Sequence, residues 1–191
     1  MMLGPRALCD AVWEASEGPA PRLWRDQRLY LCETLDPGPR LPLRDALPSE
    51  VELVVEMERG LEVEDLGSDP TSLDDDVLHV GAARKIKERR VWLGERDGHV
   101  VFKVDLGLAF PEGALLGGTW VPHALRGRGV AAAGMREACA RLLGRAPLVG
   151  LHVDEANGPA RACYRSAGFH ADAPFRFALA ETHYIGARNE R

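Results

Sequence analysis

The sequence predicts an α/β protein in which a mixed, mostly antiparallel central sheet is flanked by helices. Three observations carry this. Strand-like runs follow one another at 91–95, 99–108 and 114–121, the first two joined by Asp97-Gly98, a dipeptide that favours a tight hairpin turn. The period then changes: 129–143 repeats its apolar residues at helical spacing through Ala131, Met135, Ala138 and Leu142. Finally, 148–154 alternates again, with Val149, Leu151 and Val153 on one side, so one strand-helix-strand-helix unit follows the hairpin.

From the N-terminus, 6–16 reads as a short helix, 17–21 as a breaker-rich linker and 28–35 as a strand. Asp36-Pro37-Gly38-Pro39 stops any regular element, which sets an expected boundary between an appendage, 1–39, and the main domain, 40–191. A strand at 41–44 precedes Ser49, an N-cap for a helix ending about Arg59. The acidic, turn-rich stretch 64–76 reads as a mobile loop, and Asp74-Asp75-Asp76 caps a helix through Arg89. Phe110-Pro111-Glu112-Gly113 turns the chain into the strand 114–121. A last helix runs to Ser166 and ends at Gly168. Closing strands lie near His170 and at 175–180, the latter expected to be exposed and to pair across a twofold axis as a homodimer.

Composition narrows the function classes. A formal charge of −5 on 191 residues offers no overall positive field for a nucleic acid. No apolar run is long enough to span a bilayer, and Asp10 and Glu14 interrupt any secretory leader. Cys9, Cys32, Cys139 and Cys163 have neither metal-ligand nor redox spacing and read as reduced thiols, so a cytoplasmic location is expected.

The chemistry-bearing segment is Arg126-Gly127-Arg128-Gly129-Val130-Ala131, between a strand and a helix. A helix start leaves amide hydrogens unpaired and its dipole favours anions. Gly127 and Gly129 let the backbone bend close to phosphate oxygens, Ala131 keeps the approach uncrowded, and Arg126 and Arg128 add positive charge. A dinucleotide fingerprint, Gly127-x-Gly129-x-x-Ala132 with Asp154 downstream, also fits. Two features weigh against it: 122–125 separates strand from glycines, and only one strand-helix-strand unit is present.

Downstream, Asn157, Ala160 and Tyr164 stand at i, i+3 and i+7 on one helical stripe. Two helical turns separate Asn157 from Tyr164 by about 10 Å. Together these segments resemble the GNAT (N-acetyltransferase) superfamily. Its R/Q-x-x-G-x-G/A pattern is met by Arg126, Gly129 and Ala131, and its N-x-x-A-x-x-x-Y-x-x-x-G-F pattern by Asn157, Ala160, Tyr164, Gly168 and Phe169. The strand 100–105 and Gly118-Thr119-Trp120-Val121 are similar to a subgroup with an extra N-terminal segment, of which 1–39 is then a shortened form.

The resemblance implies an acyl-CoA N-acyltransferase fold and acetyl-CoA as cosubstrate. It implies direct transfer to a primary amine of a small molecule or peptide. The strand 117–121 is expected to part from 148–153, with a bulge at Gly117-Gly118. Backbone donors around Thr119, Trp120 and Val121 would face the thioester oxygen. Arg126, Gly127, Arg128, Gly129, Val130 and Ala131 would hold the diphosphate, Asn157 and Ala160 the pantetheine arm, and Tyr164 would protonate the thiolate. Where many members place a strand glutamate, this chain has Leu115-Leu116-Gly117-Gly118-Thr119-Trp120. The base therefore passes to His152, with His123 and Asp105 behind it. Trp92, Phe102, Trp120 and the 64–76 loop are candidates for the acceptor cleft. The missing acid also admits a non-catalytic acyl-CoA-binding module.

Overall fold

The computed structural model describes residues 1–16 and 20–180, so most of the linker expected at 17–21 lies outside the described residues. The elements run β1 (Met2–Pro5), α1 (Arg6–Ala15), β2 (Pro21–Cys32), β3 (Leu43–Asp45), α2 (Val51–Leu66), α3 (Asp75–Lys87), β4 (Val91–Arg96), β5 (His99–Phe110), β6 (Gly113–Trp120), α4 (Val130–Leu143), β7 (Val149–Asp154), α5 (Gly158–Ser166) and β8 (His170–Ala180). The eight strands of the described residues form one mixed sheet in the order β1-β8-β2-β7-β6-β5-β4-β3, antiparallel throughout except between β6 and β7. That parallel step follows from the α4 crossover, since a tight turn can join only antiparallel strands. The hairpin at Asp97-Gly98 has both residues at positive φ, +51° and +77°, as a primed turn requires.

Side-chain alternation puts a core on each face of the sheet. Phe102, Val104, Leu116, Met135, Val149 and Leu151 pack toward α4, and Val54, Met57, Ile86, Val91 and Leu93 toward α2 and α3. Contact is closest where α4 crosses β5: a Cβ on Gly134 would stand 2.5 Å from the ring of Phe102, which is wholly buried. Gly134→Val is therefore expected to overpack this seam at a cost of about 2–3 kcal/mol. A drop in melting temperature of roughly 5–10 °C checks it.

The N-terminal segment is woven into the sheet. β2 lies between β7 and β8, with Gln27 opposite Asp154, Cys32 opposite Val149 and Trp24 opposite Ala178. Tyr30 is 1% exposed, and its hydroxyl accepts hydrogen bonds from Arg161 and Arg165 of α5 at 3.4 and 3.3 Å. The expected free edge at 175–180 does not exist. β8 is covered by β2 on one side and by β1 on the other, where Met2 faces Ala178 and Pro5 faces Phe175.

The helix expected to end near Arg59 continues to Leu66. Gly60 reads as a breaker, yet its missing side chain is filled by another residue: a Cβ there would meet the Trp120 ring at 2.4 Å. The glycine serves close approach of α2 to the sheet, and the C-cap is Gly67 at φ +62°. This extension carries Glu64 and Asp65, expected in a loop, onto the last turn of a helix.

Candidate active site

β6 and β7 pair only through Ala114, Leu115 and Leu116 opposite Val149, Gly150 and Leu151, and then part. The separation has a local cause. Between Lys103 opposite Trp120 and Asp105 opposite Gly117, β6 carries one residue more than β5, and Gly118 absorbs it at φ +56°. Only glycine holds that conformation without strain, so the bulge expected at Gly117-Gly118 is where the strand swings out.

The gap opens into a cavity of about 560 Å³. Thr119, Trp120 and Val121 line it from the strand side, and Arg126, Gly127, Gly129, Val130 and Ala131 from the loop and the start of α4. Asn157, Ala160 and Tyr164 line it from α5. Gly127 and Gly129 sit at φ +72° and +75°, and a Cβ on either would meet nothing within 4 Å, so they are needed for backbone conformation rather than for space. The first bond of the α4 ladder runs from Ala133 N–H to Gly129 O (3.0 Å), which leaves the amides of Val130, Ala131 and Ala132 outside it. Arg126 reaches the cavity but its guanidinium is engaged. It donates to Val121 O at 2.9 Å and to Glu64 at 2.8 Å, and lies over the Trp120 ring at 4.8 Å. Arg128 is exposed and does not line the cavity.

Asn157 caps α5: its Oδ1 accepts from Ala160 N–H at 3.0 Å. Tyr164, two turns on, packs edge-on against Phe169 with ring centres 6.1 Å apart. Burial pushes its phenol up to about 12, with the Cys163 and Asp65 charges adding to the rise and a hydrogen bond with Thr119 opposing it. The phenol is therefore a stable proton carrier at neutral pH.

A second cavity, of about 960 Å³, adjoins the first and shares Glu64, Asp65, Asn157, Ala160 and Tyr164 with it. The N-terminal segment contributes Leu3, Trp24, Arg25, Asp26 and Gln27 to its lining. His152 lines this larger space from β7. Its ring stacks on Phe175 at 4.6 Å, burial lowers its pKa, and its buried Nε2 has no partner among the described residues. The imidazole is neutral.

The junction holds a carboxylate that does not stand out in the sequence. Asp65 opens into both cavities and has no hydrogen-bond partner among the described residues, whereas Glu64 beside it is paired with Arg126 and His123. Burial pushes Asp65 above the ordinary range, Glu64 and Asp154 add to this, and Arg25 opposes it. Asp65 falls seven residues after Glu58, so the same helical stripe carries both once α2 is continued through Gly60. The other acceptor-cleft and base candidates lie elsewhere. Phe102 and Trp92 are core residues, 0% and 8% exposed. His123 is a surface partner of Glu64 at 2.7 Å, and Asp105 is locked in a buried ion cluster.

Known solved structures share this architecture. A GNAT-family acetyltransferase from Colwellia psychrerythraea superposes with a TM-score of 0.66 at 14% identity, over 93% of this chain and 64% of its own. A predicted acetyltransferase from Clostridium acetobutylicum, solved with acetyl-CoA, gives 0.52 at 18% identity, over 68% of this chain and 90% of its own. The ribosomal-protein-alanine N-acetyltransferase of Brucella melitensis gives 0.56 at 19% identity, over 73% of this chain and the whole of its own. At such identities the likeness is one of fold, and this chain spans less than two thirds of the Colwellia protein's length. No curated protein matches the sequence. Residues 56–169, well over half of the chain and inclusive of both motif halves and their shared cavity, match the acetyltransferase (GNAT) family, to which the chain therefore belongs.

Proposed function

We propose that the protein transfers the acetyl group of acetyl-CoA to a primary amine of a small molecule or peptide, both substrates bound at once. The observation that carries this is one cavity lined both by the start of α4, whose first amides lie outside the helix ladder, and by Tyr164, with a second cavity that shares Tyr164 and would take the acceptor. The residues fit the cosubstrate: amides of Val130, Ala131 and Ala132 for the diphosphate, and an unpaired β6 edge and Asn157 for the amide-rich arm. Bound there, acetyl-CoA supplies the acetyl group as a thioester.

Asp65, without an ion-pair partner among the described residues and raised in pKa, takes in its carboxylate form the proton of the incoming ammonium, with His152 as the second candidate in the same cavity. Tyr164 holds a proton at Oη for the departing sulfur. A donor at Thr119, Trp120 or Val121 meets the charge that grows on the thioester oxygen. Four free cysteines suit a reducing compartment such as the cytoplasm.

Release of free thiol from acetyl-CoA across a panel of primary amines tests the assignment. Amine-dependent release is expected; tight acetyl-CoA binding with no release on any amine would mean a binding module instead. Gly129→Val forces a branched side chain to φ +75°, a strain of about 1–3 kcal/mol. CoA affinity measured by calorimetry should fall roughly tenfold to a hundredfold, since each tenfold step is 1.4 kcal/mol.

A further inference from the structure

Beneath the bulge, on the α2 and α3 side of the sheet, four charged side chains meet in the protein interior. Lys103 projects from β5 and is 0% exposed. Its Nζ lies 2.5 Å from Glu58 Oε1 of α2 and 2.8 Å from Asp105 Oδ1. Lys85 of α3 closes the cluster, donating to Glu58 Oε2 at 2.8 Å and to Asp105 Oδ2 at 2.9 Å. Two positive and two negative groups balance. Such burial is costly to assemble and is weak as a source of stability, so its use is better sought in what it positions.

Among the described residues, one side-chain bond leaves the cluster. Lys103 Nζ donates to the carbonyl oxygen of Gly118 at 3.1 Å. Gly118 is the bulge residue, at φ +56°, and a Cβ there would fall 2.5 Å from Asp105 Oδ2 and 3.0 Å from Lys103 Nζ. The peptide that follows is trans, as all are among the described residues. In a trans peptide the C=O and the next N–H point in opposite directions. Holding the Gly118 oxygen on Lys103 therefore turns the Thr119 N–H away from the cluster, and Thr119 lines the cleft.

We infer that the Glu58–Lys85–Lys103–Asp105 cluster is a positioning device that locks the Gly118–Thr119 peptide plane and so aims the Thr119 N–H at the acyl oxygen of the bound thioester. The inference rests on the acetyl-CoA reading above, and adds to it the residues that orient the donor. A glycine at the bulge is otherwise free to turn its peptide over, because both signs of φ are open to it. The ammonium removes that freedom from behind, without entering the cleft. Charge neutrality lets it do so without drawing in water.

The test reads the donor directly. The C=O stretch of acetyl-CoA is measured by isotope-edited infrared spectroscopy, free, bound to the native protein, and bound to two variants. Lys103→Met deletes the anchor. Lys103→Met/Glu58→Leu deletes it while leaving Lys85 and Asp105 as a balanced pair, the kind of apolar replacement of a buried ion pair that proteins tolerate. On the native protein the stretch should move to lower frequency than in water. In whichever variant folds, it should return toward the free value, with kcat lower by about tenfold or more and the dissociation constant of CoA within about twofold of native. A merely structural cluster would change CoA affinity and melting temperature and leave the frequency alone. A folded variant that keeps the native frequency overturns the inference. Absence of acetyl-CoA binding by the native protein overturns instead the reading on which it rests.

Discussion

Tyr164→Phe is expected to lower kcat for acetyl transfer by about a hundredfold to a thousandfold, the size of a lost general acid. The dissociation constant of CoA should stay within about threefold, because the phenylalanine ring keeps the edge contact with Phe169 and the apolar wall of the cleft. The reason for so large an effect on one side only is the environment of the hydroxyl. Burial holds its pKa near 12, so at neutral pH it is protonated in essentially every molecule. It can then donate to sulfur as negative charge develops there, and needs no prior ionisation. The sign of the pH dependence follows: between pH 7 and 10 the native enzyme should show no alkaline loss attributable to Tyr164. Thiol release measured across that range in both forms checks the assignment, and equal turnover in the two sinks it.

The second large effect is expected at Asp65. Asp65→Asn should lower kcat/KM for the amine by about a hundredfold, again the scale of general base catalysis. The pH profile distinguishes a base from a packing residue. A base works deprotonated, so native kcat/KM should rise with pH through the Asp65 pKa, which burial and the Glu64 and Asp154 charges hold above the ordinary aspartate range. In the variant that acid limb should vanish and only the ionisation of the amine remain. His152→Gln is the comparison. A larger loss there than at Asp65 would transfer the role to the imidazole, which burial keeps neutral and thus competent to accept a proton.

Much of the site was legible because its chemistry is local in sequence. Gly127 and Gly129 are needed by the backbone itself, at φ +72° and +75°, and a glycine pair before a helix announces such a turn. Asn157 and Tyr164 lie on one helix, where spacing alone sets the face. Asp65 was hidden by Gly60, whose low helix propensity is outweighed by the Trp120 ring packed into the space of its missing side chain. Lys103 was hidden by its type, since lysine in an alternating strand reads as solvent-facing, whereas here Glu58 from the distant α2 and Asp105 two residues along the same strand accompany it into the interior.

The sequence by itself determined the order of elements, the hairpin at Asp97-Gly98, the helix-start cradle and the polar stripe of α5, because each depends on neighbours within a few residues. Tertiary structure alone decided that β2 enters the sheet between β7 and β8, that β1 covers the edge at 175–180, and that Glu58, Lys85, Lys103 and Asp105 converge beneath Gly118. These arrangements come from pairings between segments far apart in the chain. Strand order and buried charge balance are properties of the whole sheet, and no local period encodes them.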